Sequence, residues 1–192
     1  MKYKMKVHCL VFEGFSDWEP AFALPELRKN SVEIISVGFS KKEVTSLGGL
    51  KVRPDEDLFK LNLADIKTLI IPGGSFWENE TPNEFISLVK ELHFGRTLVA
   101  AICGATILLA RAGLLDSCKH TSNFLGYLKK QAPSYKGESY YVSSELAVSD
   151  KNIITASGLG AIEFAKVLLT TLGVFDEEKA TAWLNFFKYA KF

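Results

Sequence analysis

Apolar positions fall in short continuous runs separated by amphipathic stretches, and the two kinds alternate along the chain. "MKVHCLVF" (5–12) reads as a buried strand, and "AFALPELRKN" (21–30) carries helical spacing after it. "VEIISVGF" (32–39) is a second strand, rich in β-branched residues, and "EVTSLGGLKVRP" (43–54) reads as a hairpin turning at Gly48 and Gly49. "TLIIPGG" (68–74) is a third core strand, stopped by Pro72 and two glycines. In "TPNEFISLVKELHF" (81–94) Thr81 stands as helix cap, with Pro82 at the first helical position and Glu84 three residues beyond the cap. "TLVAAIC" (97–103) is the next strand and "GATILLARAGLL" (104–115) its helix. Residues 123–132 predict a short helix, 140–157 two or three short strands, and 160–173 another helix. The last helix (176–191) sets Ala180, Trp183, Leu184 and Phe187 on one stripe. Most of that stripe reads as core, with an aromatic margin suited to a homodimer.

Strands alternating with helices predict a mainly parallel sheet covered on both faces, an α/β/α sandwich. In such sheets a site lies beyond the carboxyl ends of the strands, near a topological switch point. Three strand ends are marked: "FEGFSDWEP" (12–20), "PGG" (72–74) and "CGAT" (103–106).

The length of 192 residues is that of one domain, 1–192. A net charge of +1 offers no field for nucleic acid or an anionic membrane surface. No run approaches the ~20 apolar residues of a membrane span, and "VHCLVF" is too short for a signal core. Cys9, Cys103 and Cys118 are odd in number and widely spaced, so neither a disulfide framework nor a metal site is expected. The expectation is a cytoplasmic protein without metal or cofactor.

Cys103 stands at a strand-to-helix turn with Ala101 and Ala105 two positions either side and Gly104 next to it, as a nucleophile elbow requires. The N–H groups of the helix would favour the thiolate, so a thiol more acidic than usual is expected, and Gly104 N–H would serve an oxyanion. The alternative is a buried core thiol. Glu19 closes "SDWE" (16–19), either as a capping-box partner of Ser16 or, because Pro20 disfavours that, as a carboxyl beside Cys103 with the helix starting at Pro20. Gly74 N–H would either meet a substrate oxygen or sit in an ordinary turn. Trp18 and Trp77 either line this pocket or pack in the core. Cys9 reads as inert core, His8 and His93 as structural, and Cys118 as exposed. No phosphate-binding glycine loop is present, and flavodoxin or receiver functions fit worse.

With "VFEGFSDWEPA" (11–21), "LIIPGG" (69–74), "AAICGAT" (100–106), "LLDSCKHTSN" (114–123) and "TASGLGAIEFA" (155–165), the chain resembles the DJ/PfpI superfamily. That group includes intracellular proteases and amidases, the parkinsonism-associated deglycase and chaperone-like relatives. The resemblance implies a flavodoxin-like, class I glutamine-amidotransferase-like sandwich, a reactive Cys103, and Glu19 as the acid beside it. It also implies Gly74 and Gly104 as oxyanion donors, a homodimer, and a small-molecule or peptide substrate. Many relatives carry a histidine where this chain has Asn123, which cannot titrate. His120 lies three residues earlier: in a strand it would face away from Asn123, and in a loop it would be free to reach the sulfur. The expectation is a weak peptidase or aldehyde-adduct enzyme. The alternatives are an oxidative-stress protein whose cysteine is oxidised, and a binding module without turnover.

Overall fold

In the computed structural model, which describes residues 5–79 and 81–191, the apolar runs become the strands of one sheet. The strands are β1 (Met5–Leu10), β2 (Val32–Gly38), β5 (Glu56–Asp57), β6 (Thr68–Ile71), β7 (Leu98–Ile102), β8 (Ala147–Asp150) and β9 (Ile153–Ala156). Their order is β5-β2-β1-β6-β7-β9-β8, parallel except for the antiparallel edge pair β8 and β9. Residues 43–54 form the expected hairpin, with β3 (Val44–Thr45) pairing antiparallel to β4 (Lys51–Val52).

The helices are α1 (Ala23–Lys29), α2 (Asn83–Phe94), α3 (Ala105–Arg111), α4 (Leu125–Gln131), α5 (Ala161–Thr171) and α6 (Glu177–Tyr189). Pleating divides each central strand between two cores. In β7, Val99 and Ala101 join the cluster under α2, α3 and α4, whereas Leu98, Ala100 and Ile102 join the one under α1, α5 and α6. Both faces of β6 are likewise apolar and buried. That is the three-layer sandwich the pattern predicts. No helix among the described residues is long and apolar enough to cross a membrane.

Three local expectations change. Regular helix begins at Ala23, not Pro20, because residues 17–22 turn irregularly before α1. α2 begins at Asn83, and Thr81 does not cap it: its buried hydroxyl accepts from Arg111 Nη1 at 2.6 Å. The α6 stripe is only partly core. Ala180 is buried, but Phe187 stacks edge-on against Phe22 at 5.5 Å and stays largely exposed at the outer face of the layer.

β1 pairs with β2 on one side and β6 on the other, so the winding direction reverses between β1 and β6. The crevice this opens is bordered by the loops after β1 and β6, and β7 lies next to it.

Candidate active site

Cys103 follows β7 with φ at +58°, a left-handed conformation that a side-chain-bearing residue keeps only when its surroundings hold it. They do. Its N–H donates to Ala156 O at 2.9 Å, and its carbonyl accepts from Thr106 N–H at 3.1 Å and Thr106 Oγ1 at 2.7 Å. Two glycines permit the crowding. A Cβ on Gly73 would stand 2.7 Å from Cys103 Cβ, and one on Gly158 would stand 2.9 Å from Cys103 Sγ.

Glu19 is completely buried. Its Oε2 accepts from Gly73 N–H at 2.5 Å, so the carboxyl is turned into the strand ends and not back over a helix terminus. The same two loops are tied again where Ser16 N–H donates to Gly73 O at 3.0 Å. Oε1 is buried without a well-formed hydrogen bond, although the Cys103 thiol and Ser16 hydroxyl lie close enough to influence ionisation. Burial pushes the Glu19 carboxyl up to about 7, outweighing the Gly73, Cys103 and Ser16 hydrogen bonds that oppose the shift.

The thiol departs from the expected acidity. Burial and then the Glu19 charge push Cys103 up to about 11, against the Asn123 and Gly104 N–H groups that favour the thiolate. The two groups titrate as a pair, losing one proton near 7 and the second near 11. Between those values the site holds one negative charge and one proton, placed on either sulfur or oxygen. A carboxylate with one orphaned oxygen is costly when buried, whereas protonated Oε1 becomes a donor with the sulfur as its nearby acceptor.

Asn123 bridges the site. Its Nδ2 donates to Cys103 Sγ at 3.4 Å, and its Oδ1 accepts from Gly158 N–H at 2.9 Å, which sets the orientation of the amide. Gly74 N–H has no acceptor among the described residues, while Gly104 N–H is already directed at the sulfur. Trp18 stands half exposed at the rim. Trp77 does not line the pocket: it is fully buried, donates from Nε1 to Pro72 O at 2.9 Å, and packs beneath Gly104.

His120 is not brought to the sulfur. Its Nδ1 is 2.8 Å from Cys118 O, which only accepts, so Nδ1 carries the proton and Nε2 accepts from the Tyr135 hydroxyl at 2.6 Å. Burial lowers its pKa, so the ring is neutral with both nitrogens engaged. Cys118 is buried, not exposed, and burial pushes it up to about 11. Cys9 is buried core, pushed up to about 12.

Trp18, Glu19, Cys103, Asn123, Phe124 and Gly158, with Ser157 and Leu159, enclose a pocket of about 400 Å³. A wider cavity of about 560 Å³ lies at the amino ends of β6 and β7, lined by Lys6, Lys67 and Arg96 among others, and has no cysteine in its lining.

The model of the DJ-1/PfpI family matches residues 5–171. The chain belongs to that family. The protein named "Uncharacterized protease YoaZ" of Bacillus subtilis is 38% identical, the match covering 97% of this chain and 92% of that one. The deglycase PH1704 of Pyrococcus horikoshii is 29% identical over 62% of this chain and 72% of its own. Among solved structures, a thiJ/pfpI family protein from Bacillus anthracis superposes with a TM-score of 0.91 at 38% identity, covering 100% of this chain and 94% of its own. The DJ-1 superfamily protein Atu0886 from Agrobacterium tumefaciens gives 0.88 at 38%, covering 97% and 98%. Within this DJ-1/PfpI chain, the residues that spacing alone missed are Gly158, Ser157, Phe124 and Leu159. A glycine two residues past the end of β9 was the one available signal, since a strand end that must approach a sulfur favours a residue without Cβ.

Proposed function

We propose that the protein is a cysteine-dependent hydrolase of the PfpI type, acting through Cys103 on a small amide, a peptide or an aldehyde adduct. The observation that carries this reading is the contact of a partly exposed, conformationally constrained cysteine with a buried carboxyl holding an unpaired oxygen. With the pair's single proton on Glu19, the thiolate attacks the substrate carbonyl carbon, a C–S bond forms, and Gly74 N–H receives the oxyanion. Collapse expels the leaving group, which takes the Glu19 proton and leaves an acyl thioester; water, giving a proton back to Glu19, then attacks the thioester carbon, the C–S bond breaks, and the acid and the thiolate are released. Asn123 steadies the sulfur but holds no exchangeable charge, so amine expulsion depends on Glu19 alone and peptidase turnover is slow. Good leaving groups and aldehyde adducts demand less. Chromogenic ester hydrolysis and methylglyoxal adduct chemistry, compared in wild type and Cys103→Ala, test the proposal. Equal rates in the two proteins would end it.

A second reading is favoured by Asn123 itself. Oxidation by peroxide needs a thiolate and acceptor-stabilising donors, not a proton for an amine. The thiolate attacks one peroxide oxygen, the O–O bond breaks, water leaves and a sulfenate remains, and a second peroxide converts that to the sulfinate with loss of a second water. Asn123 Nδ2, which already donates to the sulfur, and protonated Glu19 would donate to its oxygens. Intact mass after graded hydrogen peroxide separates the readings: rapid sulfinate formation without ester turnover favours the redox role. A homodimer belongs to the same proposal, and sedimentation of the purified chain tests it.

A further inference from the structure

We infer that the Cys103 pocket takes a substrate with an apolar body and a positively charged arm, an aminoacyl-type amide or ester, and turns anionic substrates away. The identity of the reacting bond rests on the hydrolase reading; the binding preference does not. A second pocket of about 340 Å³ shares Asn123, Phe124, Ser157 and Leu159 with the 400 Å³ pocket at Cys103. The two pockets adjoin at these shared residues, and each has room well beyond a two- or three-carbon aldehyde.

Its apolar wall is unusual. Trp18 is 51% exposed, Phe124 60% and Leu159 88%, and all three line the pocket that holds the sulfur. Single exposed apolar side chains need no explanation, but a cluster around a nucleophile marks a contact surface. At the reacting end, Glu19 Oε1 is fully buried without a well-formed hydrogen bond, next to the Cys103 sulfur.

Charge then selects the arm. The far end carries Glu138, paired with Lys129 at 2.7 Å, and Glu145, which has no partner among the described residues. No lysine, arginine or histidine lines either pocket. A carboxylate or phosphate ligand would meet the Cys103–Glu19 negative charge at one end and Glu145 at the other, and Lys129 at that end is already paired with Glu138. An ammonium group reaching Glu145 from the Cys103 pocket is attracted at both ends.

Three matched chloroacetamides test this, each with a phenyl body and an arm ending in ammonium, carboxamide or carboxylate. Cys103 alkylation is followed by intact mass, and each rate is divided by that of iodoacetamide in the same protein, so changes in the thiol itself cancel. The ammonium reagent is expected to react about tenfold faster than the carboxylate one, and Glu145→Gln to shrink that ratio about threefold, the scale of one solvent-exposed ion pair. Phe124→Ser is expected to slow all three reagents relative to iodoacetamide. An unchanged ratio in Glu145→Gln, a carboxylate reagent that reacts fastest, or a Cys103 that no reagent reaches overturns the inference. Alkylation requires no turnover. Charge preference without hydrolysis would sink the hydrolase reading and leave this one standing; hydrolysis without charge preference would do the reverse.

Discussion

Two buried polar clusters lie at neighbouring strand ends, and they differ in one respect. Around His120 every polar group is matched: the ring bonds Cys118 O and Tyr135, and Tyr135 stacks edge-on at 5.5 Å. Around Cys103 the matching is incomplete. Glu19 Oε1 has no partner, the cysteine backbone is left-handed, and two acidic groups compete for one proton. A satisfied buried histidine contributes stability and has no lone pair left for chemistry. An unsatisfied carboxyl against a constrained thiol costs stability and is held in place by the surrounding hydrogen bonds. The difference teaches that residue type is a poor guide here: the histidine has both ring nitrogens engaged, and the unmatched polar atom belongs to the glutamate.

The largest expected effect is at the sulfur. Cys103→Ala should lower ester hydrolysis or adduct formation more than about 1,000-fold, as removal of a nucleophile does. The fold should be retained, checked by far-UV circular dichroism. Activity that survived would move the chemistry away from this cluster.

Next comes Glu19, through pH. Its carboxyl ionises near 4.5 when free and near 7 in the folded chain. The native state thus holds a proton that the unfolded chain has released, so this stabilisation is complete below about 4.5 and is lost as pH rises through about 7. The loss is about 3 kcal/mol if the group acts alone. Glu19→Gln, which keeps an acceptor for Gly73 N–H, should flatten stability between pH 5 and pH 8, measured by urea unfolding. A slope equal to wild type would mean that the carboxyl is not the group holding the proton.

His120→Ala should cost about 2 kcal/mol by stranding the Tyr135 hydroxyl and the Cys118 carbonyl. Iodoacetamide labelling of Cys103 should nevertheless stay within about twofold of wild type, as for sites without a shared network. Slow labelling together with normal stability would reverse the contrast between the clusters. The smallest effect is at Asn123. Asn123→Ala removes a donor that favours the thiolate, so the labelling midpoint should rise and the rate at pH 8 should fall about fivefold, as for one long hydrogen bond to a charged group. A midpoint that fell would show that the amide does not stabilise the thiolate.

Much of the molecule was legible along the chain because the forces concerned are local. Continuous apolar runs such as 68–71 and 98–102 mark strands buried on both faces, and the structure puts both in the sheet centre. Small residues on either side of Cys103 permit the sharp turn, and Pro20 argued correctly against a capping role for Glu19. Thr81 misled because a sequence of capping-box type states which bonds are available locally, not that Arg111 will claim the hydroxyl from 30 residues away.

The sequence by itself thus determined the layered architecture and the sharp turn at Cys103, and it left Glu19 open between a helix cap and a place beside the cysteine. Only the tertiary structure decided that Asn123 faces the sulfur while His120 turns to Tyr135, and that Trp77 supports the elbow from below while Trp18 stands at the rim. It alone decided the thiol's acidity as well. The end of a helix acts within one turn and is worth ~1 kcal/mol or less at an exposed site, whereas burial acts on the whole charge and shifts a pKa by several times as much. Spacing along a chain reports the first of these. Burial depends on what segments far apart in sequence bring to the same point, so it appears only once the chain has folded.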